Sequence, residues 1–227
     1  QRQMCIRDRK NGLMIENAKE NSQRVELKDR IIETASEAFT AHGIKSITMD
    51  DIAASLGISK RTLYEVFQDK ESLLTQCILK RQEEMNAFLA ETLANSKNVL
   101  EVILVCYQRS IETFHRTNKR FFEDIKKYPK VHSLLKNYRE RDSDSTIEFF
   151  KMGIKQGIFR DDVNFAIVNL LVHEQLDLLM NTDICNKYSF LEVYEAIMFT
   201  YIRGISTEKG AKVLEDFITE YRKQRIH

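Results

Sequence analysis

The composition and the spacing of apolar residues predict an all-α fold. The 227 residues include one proline and seven glycines, and few stretches alternate apolar and polar residues as a β-strand does. The length allows one large domain or two smaller ones with a substantial core. With 30% charged residues and a formal net charge of +1, we expect a soluble chain, because no apolar run approaches the ~18 residues of a membrane span.

The cysteines indicate a compartment. They are widely scattered and form no CxxC pair, so reduced thiols in a cytoplasm explain them better than disulfides or a zinc site. The four are Cys5, Cys77, Cys106 and Cys185.

Residues 1–23 have no sustained amphipathic pattern, and we expect them to form a disordered arm. Residues 4–9 resemble a peptide translated from sequencing-adapter DNA, which would make residues 1–9 artefactual and Met14 the natural start. The arm is not interpreted as a signal peptide, because no apolar segment follows its basic residues.

The first predicted helix runs roughly from Val25 to Ala41, and Gly43 ends it. Its apolar residues recur at helical spacing and form one stripe, which consists of Leu27, Ile31, Ala35 and Ala38, widened by Ile32 and Phe39.

Two short helices separated by a glycine are predicted next. Thr48 can cap the first, and Gly57 can end it because glycine tolerates a positive φ. Ser59 offers a second cap for a helix from roughly Lys60 to Phe67. Two helices of this length joined by a tight glycine turn are typical of a helix-turn-helix.

The outer face of the second short helix has the chemistry of a DNA-binding surface. We expect Leu63, Val66 and Phe67 to point into the core. The side chains left outside are then Lys60, Arg61, Thr62, Tyr64 and Glu65. Positive and hydroxyl groups near the start of such a helix can reach base edges and phosphates. Each residue alone has an ordinary explanation, such as a solvated lysine or a helix cap, so the hypothesis depends on their combination.

A third helix start follows at Asp69, which can act as its cap. Lys70 and the free backbone N–H groups at this helix start would suit a phosphate.

This combination resembles the DNA-binding domain of the TetR family of bacterial transcription regulators. The matching positions are more specific than a bare helix-turn-helix; they are Ala35, Ala38, Phe39, Gly43, Thr48, Asp51–Ala53, Gly57–Ser59, Thr62–Tyr64, Phe67 and Lys70–Leu74. Arg61 stands where the family often has a small residue, and Val66 where an aromatic residue or histidine is common. Neither departure threatens the fold, and Arg61 would add a base or phosphate contact.

The resemblance implies a homodimer that reads a roughly palindromic double-stranded DNA operator, with recognition helices about 34–36 Å apart or a multiple of the turn. The DNA-binding domain would span residues 24–74, and residues 75–227 would form a helical regulatory and dimerisation domain. The candidate DNA-binding residues divide by role: Lys60, Arg61 and Thr62 for base contact, and Thr48, Tyr64 and Lys70 for phosphate positioning, with Ser59 beside them.

Net charge does not support DNA binding by itself. Residues 24–74 contain seven basic and nine acidic residues, a formal charge of −2, whereas a DNA-binding domain is usually basic. Three of the basic residues, Lys60, Arg61 and Lys70, cluster on the proposed DNA face. Pairing two copies would double that footprint, which favours a dimer.

Further helices are predicted after residue 70. One continues from Glu71 towards Leu93, and an apolar one spans about Val99 to Thr117. A short helix and a bend at Pro129 precede a long helix from about 131 to 156. The last helices are expected at 162–180, 190–205 and 207–225.

The helices at 162–180 and 190–205 are apolar on more than one face, which indicates burial on several sides. The resemblance implies that this pair forms a four-helix interface with the same pair of a second copy. The alternative is a pair of central core helices in a monomer.

No sequence signature of an enzyme is present. The segment from His173 lacks the second histidine of HExxH, with Asp177 in its place, and no P-loop, GxSxG or dinucleotide fingerprint occurs. We therefore predict no catalytic residues, no cofactor and no metal site. Cys106, Tyr107 and Phe114, together with His173 and Asp177, are tentative ligand-binding residues, although core filling explains any one of them more simply.

The predicted function is that of a repressor released from its operator by a small, mainly apolar ligand, through a shift between two dimer geometries. One alternative is a TetR-like DNA-binding protein without a small-molecule ligand, controlled by a protein partner. The other is a helical enzyme or adaptor that has lost DNA binding.

Overall fold

A computed structural model describes the backbone of residues 2–141, 143–181 and 184–225. Side chains are described from residue 21 onward, except at 136, 139–144, 177, 178, 180–183, 185, 186 and 224–227. The predicted all-α fold is confirmed: in the described residues the only β pairing is an isolated bridge between Phe159 and Ser206. None of the described helices is long and apolar enough to cross a membrane.

The helices, numbered in chain order, are α1 Arg2–His42, α2 Met49–Leu56, α3 Lys60–Val66, α4 Lys70–Asn95, α5 Val99–Arg116, α6 Lys119–Ile125, α7 Pro129–Arg141, α8 Ser143–Lys155, α9 Phe165–Asn181, α10 Ile184–Lys187, α11 Phe190–Ile205 and α12 Glu208–Arg225. They form two compact units. The first comprises Gln1–Arg81 and Thr117–Val131, and the second comprises Gln82–Arg116 and His132–His227.

Two elements differ from the sequence-based expectations. The backbone of residues 2–23 continues α1 as a helix, whereas we expected a disordered arm and a helix only from Val25. This segment has no proline and is rich in residues with good helix propensity, so a helix can form there without an apolar stripe. Where one helix was expected from 131 to 156, the structure has α7 and α8; residue 142 between them lies outside the described residues.

The first unit is built around side chains from α1, α2, α3 and α4 that are at most 2% exposed. They are Ile31, Ala35, Phe39, Ile44, Ile52, Ala53, Leu63, Leu73 and Leu74. The apolar stripe predicted for the first helix supplies three of them. Burial of this stripe, rather than helix propensity, holds the short helices α2 and α3 in place, because helices of eight residues are not stable alone.

Residues 117–131 join this unit through contacts at the end of α1. The Asn118 N–H donates to the Thr40 carbonyl at 2.8 Å, and the Lys45 N–H donates to the Asp124 carboxylate at 2.7 Å. Gly43 has φ +86°, and a Cβ placed there would lie 2.7 Å from the Arg120 Cβ. Glycine is therefore required here both for its backbone conformation and for the close approach of α6.

Asp124 is the buried charge of this junction. Burial alone would raise its pKa, but the bonds from the Lys45 N–H and from the Lys127 ammonium, at 3.1 Å, hold the pKa below its ordinary value. The carboxylate is therefore charged and satisfied, as a buried ion must be.

The second unit has an aromatic core. Tyr107 of α5 is 1% exposed, lies 5.4 Å from the stacked ring of Tyr194 and makes further ring contacts with Phe199, Phe217 and Tyr221. Its hydroxyl donates to the Glu195 carboxylate at 3.2 Å. This bond gives the buried phenol the partner that it needs.

Candidate nucleic-acid interface

Thr48 closes a capping box at the start of α2. Its hydroxyl accepts the Asp51 N–H at 3.1 Å, while the Asp51 carboxylate accepts the Thr48 N–H at 2.8 Å and the hydroxyl proton at 2.6 Å. The side-chain bond and then the backbone bond lower the pKa of Asp51. Gly57 ends the helix with φ +66°, as expected. Thr48 is exposed, but its hydroxyl proton is committed to the cap.

Ser59 fixes the start of α3. Its Oγ accepts the Thr62 N–H at 3.0 Å, and the two hydroxyl oxygens lie 2.8 Å apart. Thr62 is half-buried by this pairing. The cap therefore aligns the first turn of α3 and also limits how freely the Thr62 hydroxyl can turn towards a base.

The orientation of α3 agrees with the expected one. Leu63 and Phe67 are buried, Val66 is half-buried, and the Tyr64 side chain is 50% exposed. The remaining outward side chains are those of Lys60, Arg61 and Glu65. A cation-bearing and hydroxyl-bearing face thus stands in solvent while the opposite face anchors the helix.

Both cations of α3 have carboxylate partners that the sequence analysis did not foresee. Lys60 pairs with Asp50 of α2, and the hydrogen bond from Asp50 raises the pKa of Lys60. Arg61 Nε donates to Glu65 at 2.9 Å, one helical turn away. Exposed pairs of this kind contribute only about 0–1 kcal/mol, so a DNA phosphate or base edge can compete for either cation.

Lys70 begins α4 behind an Asp69 cap, whose carboxylate accepts the Ser72 N–H at 2.6 Å. The Lys70 ammonium lies 5.7 Å from the centre of the Phe39 ring and is half-buried. Burial lowers the pKa of Lys70, and the negative charges of Asp124 and Asp51 oppose that effect. The charge is thus held close to the helix start, where a phosphate oxygen could also accept backbone N–H groups.

Comparison with known proteins agrees with this geometry. The model of the family described as "Bacterial regulatory proteins, tetR family" matches residues 31–77, which include α2, α3 and the start of α4. The HTH-type transcriptional repressor KstR2 of Mycobacterium tuberculosis is 23% identical over 160 residues, covering 68% of this chain and 78% of that repressor. The HTH-type transcriptional regulator SAB2452 of Staphylococcus aureus is 37% identical over 78 residues, covering 34% of this chain and 37% of that regulator.

Similarity also extends to solved structures. A transcriptional regulator from Saccharomonospora viridis, solved in complex with choline, superposes with a TM-score of 0.65 at 18% identity, covering 81% of this chain and 100% of that chain. At this identity the likeness shows the fold. The chain belongs to the TetR family. The related TetR-family proteins are named as transcriptional regulators, so the prediction that this chain is a regulator and not an enzyme is confirmed.

The tentative ligand-binding residues of this TetR-family chain occupy different surroundings. Tyr107 lies in the aromatic core, and Phe114 stacks on Phe190 with ring centres 3.3 Å apart. Cys106 and His173 are half-buried, and burial raises the pKa of the Cys106 thiol. The side chain of Asp177 lies outside the described residues. Tyr107 and Phe114 thus fill the core, and the ligand-binding role of the group stays a prediction.

Proposed function

We propose that this TetR-family regulator is a homodimeric repressor that binds a roughly palindromic operator through α3 and leaves it when a small molecule binds the second unit. The observation that carries the proposal is the outward face of α3, on which Lys60, Arg61 and Tyr64 are exposed while Leu63 and Phe67 anchor the helix. Such a face fits the major groove, with its N-terminal residues nearest to the base edges.

The exposed apolar face of α9 supports dimerisation. Ile167, Leu170 and Leu171 are 53%, 59% and 46% exposed, and their spacing places them on one side of the helix. A second copy of this chain would bury such a face, and a dimer brings two α3 helices to two half-sites. We propose that α9 and α11 provide this interface.

The dimer proposal is tested with Leu170→Glu. A charge in the centre of an apolar interface should shift the chain to a monomer in sedimentation velocity and abolish operator binding at the same concentration. Leu89→Glu on α4, where the leucine is 39% exposed, provides the matched control and should leave the mass unchanged. A dimeric Leu170→Glu variant would place the interface elsewhere.

The operator is identified by selecting bound DNA from a random pool at moderate salt. An inverted repeat is the expected result; no enrichment from a folded, dimeric protein would contradict the proposal. On the selected site, Arg61→Ala should relax base preference at one position, since a good base contact contributes about 1–3 kcal/mol of discrimination. Tyr64→Phe and Lys70→Ala should weaken binding evenly across sequences.

Release by a small molecule is the finer part of the proposal. The choline complex of the regulator from S. viridis supports it, because a protein of the same fold holds a small organic molecule. The S. aureus and M. tuberculosis relatives support the regulatory role alone. A ligand that changes operator affinity must bind the two dimer geometries with different affinities. If no small molecule that binds the second unit alters operator affinity, control by a protein partner takes its place.

A further inference from the structure

The second unit contains a cavity of about 790 Å³ that none of the tentative ligand-binding residues lines. Three helices contribute one face each, as their spacing shows. From α4 come Phe88, Glu91, Thr92 and Asn95; from α5 come Glu101, Leu104, Val105 and Gln108; from α12 come Val213, Asp216 and Phe217. A space of this volume is in the range of small-molecule sites.

The charge of the wall has one sign. Glu91, Glu101 and Asp216 line the cavity, and its described lining includes no lysine, arginine or histidine. Asp216 makes no ion pair within the described part of the chain, whereas Glu215, the next residue on α12, pairs with Arg203 at 2.6 Å. The carboxylates facing the cavity are therefore not neutralised by basic side chains of the described chain.

Thr92 is an independent sign of a ligand. The residue is 8% exposed and lines the cavity, and its hydroxyl makes no hydrogen bond to any residue that the structure describes. No polar side-chain atom of the described chain is both fully buried and unpartnered, so the Thr92 oxygen keeps its remaining exposure towards the cavity. A nearly buried hydroxyl with no partner is costly unless something in the cavity accepts or donates a bond.

Two aromatic rings complete the wall. Phe88 already has the Arg109 guanidinium 4.1 Å from its ring centre, which shows that its electron-rich face accepts a cation. Phe217 makes an edge contact with Tyr107 at 6.2 Å, so the cavity adjoins the aromatic core. Aromatic faces and carboxylates both attract a positive charge, and the apolar lining accommodates hydrocarbon.

We propose that this cavity binds a hydrophobic organic cation, a molecule with a positive nitrogen or phosphorus centre and an apolar or aromatic body. This inference rests on the proposed function, since the cation would be the effector of the repressor. It differs from the mainly apolar ligand expected from the sequence, because Glu91, Glu101 and Asp216 would repel an anion and would be desolvated without compensation by a neutral hydrocarbon.

The test compares two ions of matched shape and opposite charge. Tetraphenylphosphonium and tetraphenylborate are titrated into the full-length protein without DNA, and the smaller benzyltrimethylammonium is titrated in parallel. We expect saturable binding of at least one cation, and binding of tetraphenylborate at least about tenfold weaker than that of tetraphenylphosphonium. Equal or tighter binding of the borate, or no saturable binding of either cation, would overturn the proposal.

Variants then locate the site. Glu91→Gln combined with Asp216→Asn should weaken cation binding about tenfold, because two favourable charges are lost while shape is kept. Glu83→Gln, an equally conservative change of an exposed carboxylate on α4, should change the affinity less than about twofold. An unchanged affinity in the double variant, with circular dichroism showing a folded chain, overturns the assignment to this cavity.

The two proposals fail separately. Cation binding is measured without DNA, so a cation that binds in this cavity but never alters operator affinity would contradict only the proposed release mechanism. Operator release by other molecules, with no cation binding here, would contradict only the cavity assignment.

Discussion

Gly43→Ala should destabilise the protein much more than Gly57→Ala, although both glycines have a positive φ. At Gly57, with φ +66°, a new Cβ meets nothing within 4 Å, so only the left-handed backbone conformation opposes alanine, at about 1–2 kcal/mol. At Gly43, with φ +86°, the same conformational cost applies. In addition, the new Cβ would lie 2.7 Å from the Arg120 Cβ and 3.4 Å from a carboxylate oxygen of Asp124.

The contact at Gly43 cannot be relieved by rotating a side chain, because the Arg120 Cβ is fixed to the backbone of α6. Moving α6 would also stretch the bonds that Asn118 and Asp124 make with residues 40 and 45. Such overpacking costs about 1–3 kcal/mol. We therefore expect about 2–5 kcal/mol for Gly43→Ala, against about 1–2 kcal/mol for Gly57→Ala.

Urea-induced unfolding followed by far-UV circular dichroism, at one protein concentration for all variants, measures both free energies. Each variant is compared with the unsubstituted chain, and the difference between the two glycines isolates the packing contribution. Equal losses in the two variants would refute the reasoning, since they would mean that α6 does not approach residue 43 this closely.

Three further outcomes are expected. Glu65→Gln should raise operator affinity about two- to fivefold by releasing Arg61 from its exposed pair and removing a negative charge from the DNA face; a fluorescence-anisotropy titration that shows weaker binding would instead give Glu65 a base contact. Asp124→Asn should cost about 1–3 kcal/mol at neutral pH by weakening the bond to the Lys45 N–H; because the pKa of Asp124 is lowered in the folded state, its contribution is present above the ordinary carboxyl pKa and lost as pH falls through the folded value, so unfolding curves of the two proteins should converge in acid. Burial raises the pKa of Cys77 from 9.0 to about 12, so iodoacetamide should label it much more slowly in the folded than in the urea-unfolded chain at pH 8, and the stability derived from the neutral thiol should fall as pH rises from about 9 towards 12; rapid labelling of the folded chain would show that Cys77 is not buried.

Sequence reasoning succeeded where the determining interactions are local. Thr48 and Asp51, or Ser59 and Thr62, cap their helices across three residues, and the periodic stripe of α1 identifies its own buried face. These features define α2 and α3 because backbone capping and amphipathic spacing depend on nearby residues.

Long-range contacts were not predictable in the same way. The Lys45 N–H and the Asp124 carboxylate are 79 positions apart, and nothing around residue 124 indicates that α6 packs on the end of α1. The cavity likewise combines residues of α4, α5 and α12, which no short motif connects. For Asp50 the sequence indicated a favourable helix-dipole position, but its pairing with Lys60 requires the turn between two helices.

The contribution of residues 117–131 to the first unit has a consequence for exchanging modules between regulators. A hybrid gene with a single crossover near codon 81 would give the DNA-reading segment of one parent a foreign α6. The carboxylate that receives the Lys45 N–H and the side chain facing Gly43 would then come from the other parent. Functional chimeras should therefore be more frequent when codons 117–131 travel with codons 1–81, so that inheritance follows the three-dimensional unit rather than the linear order of the gene.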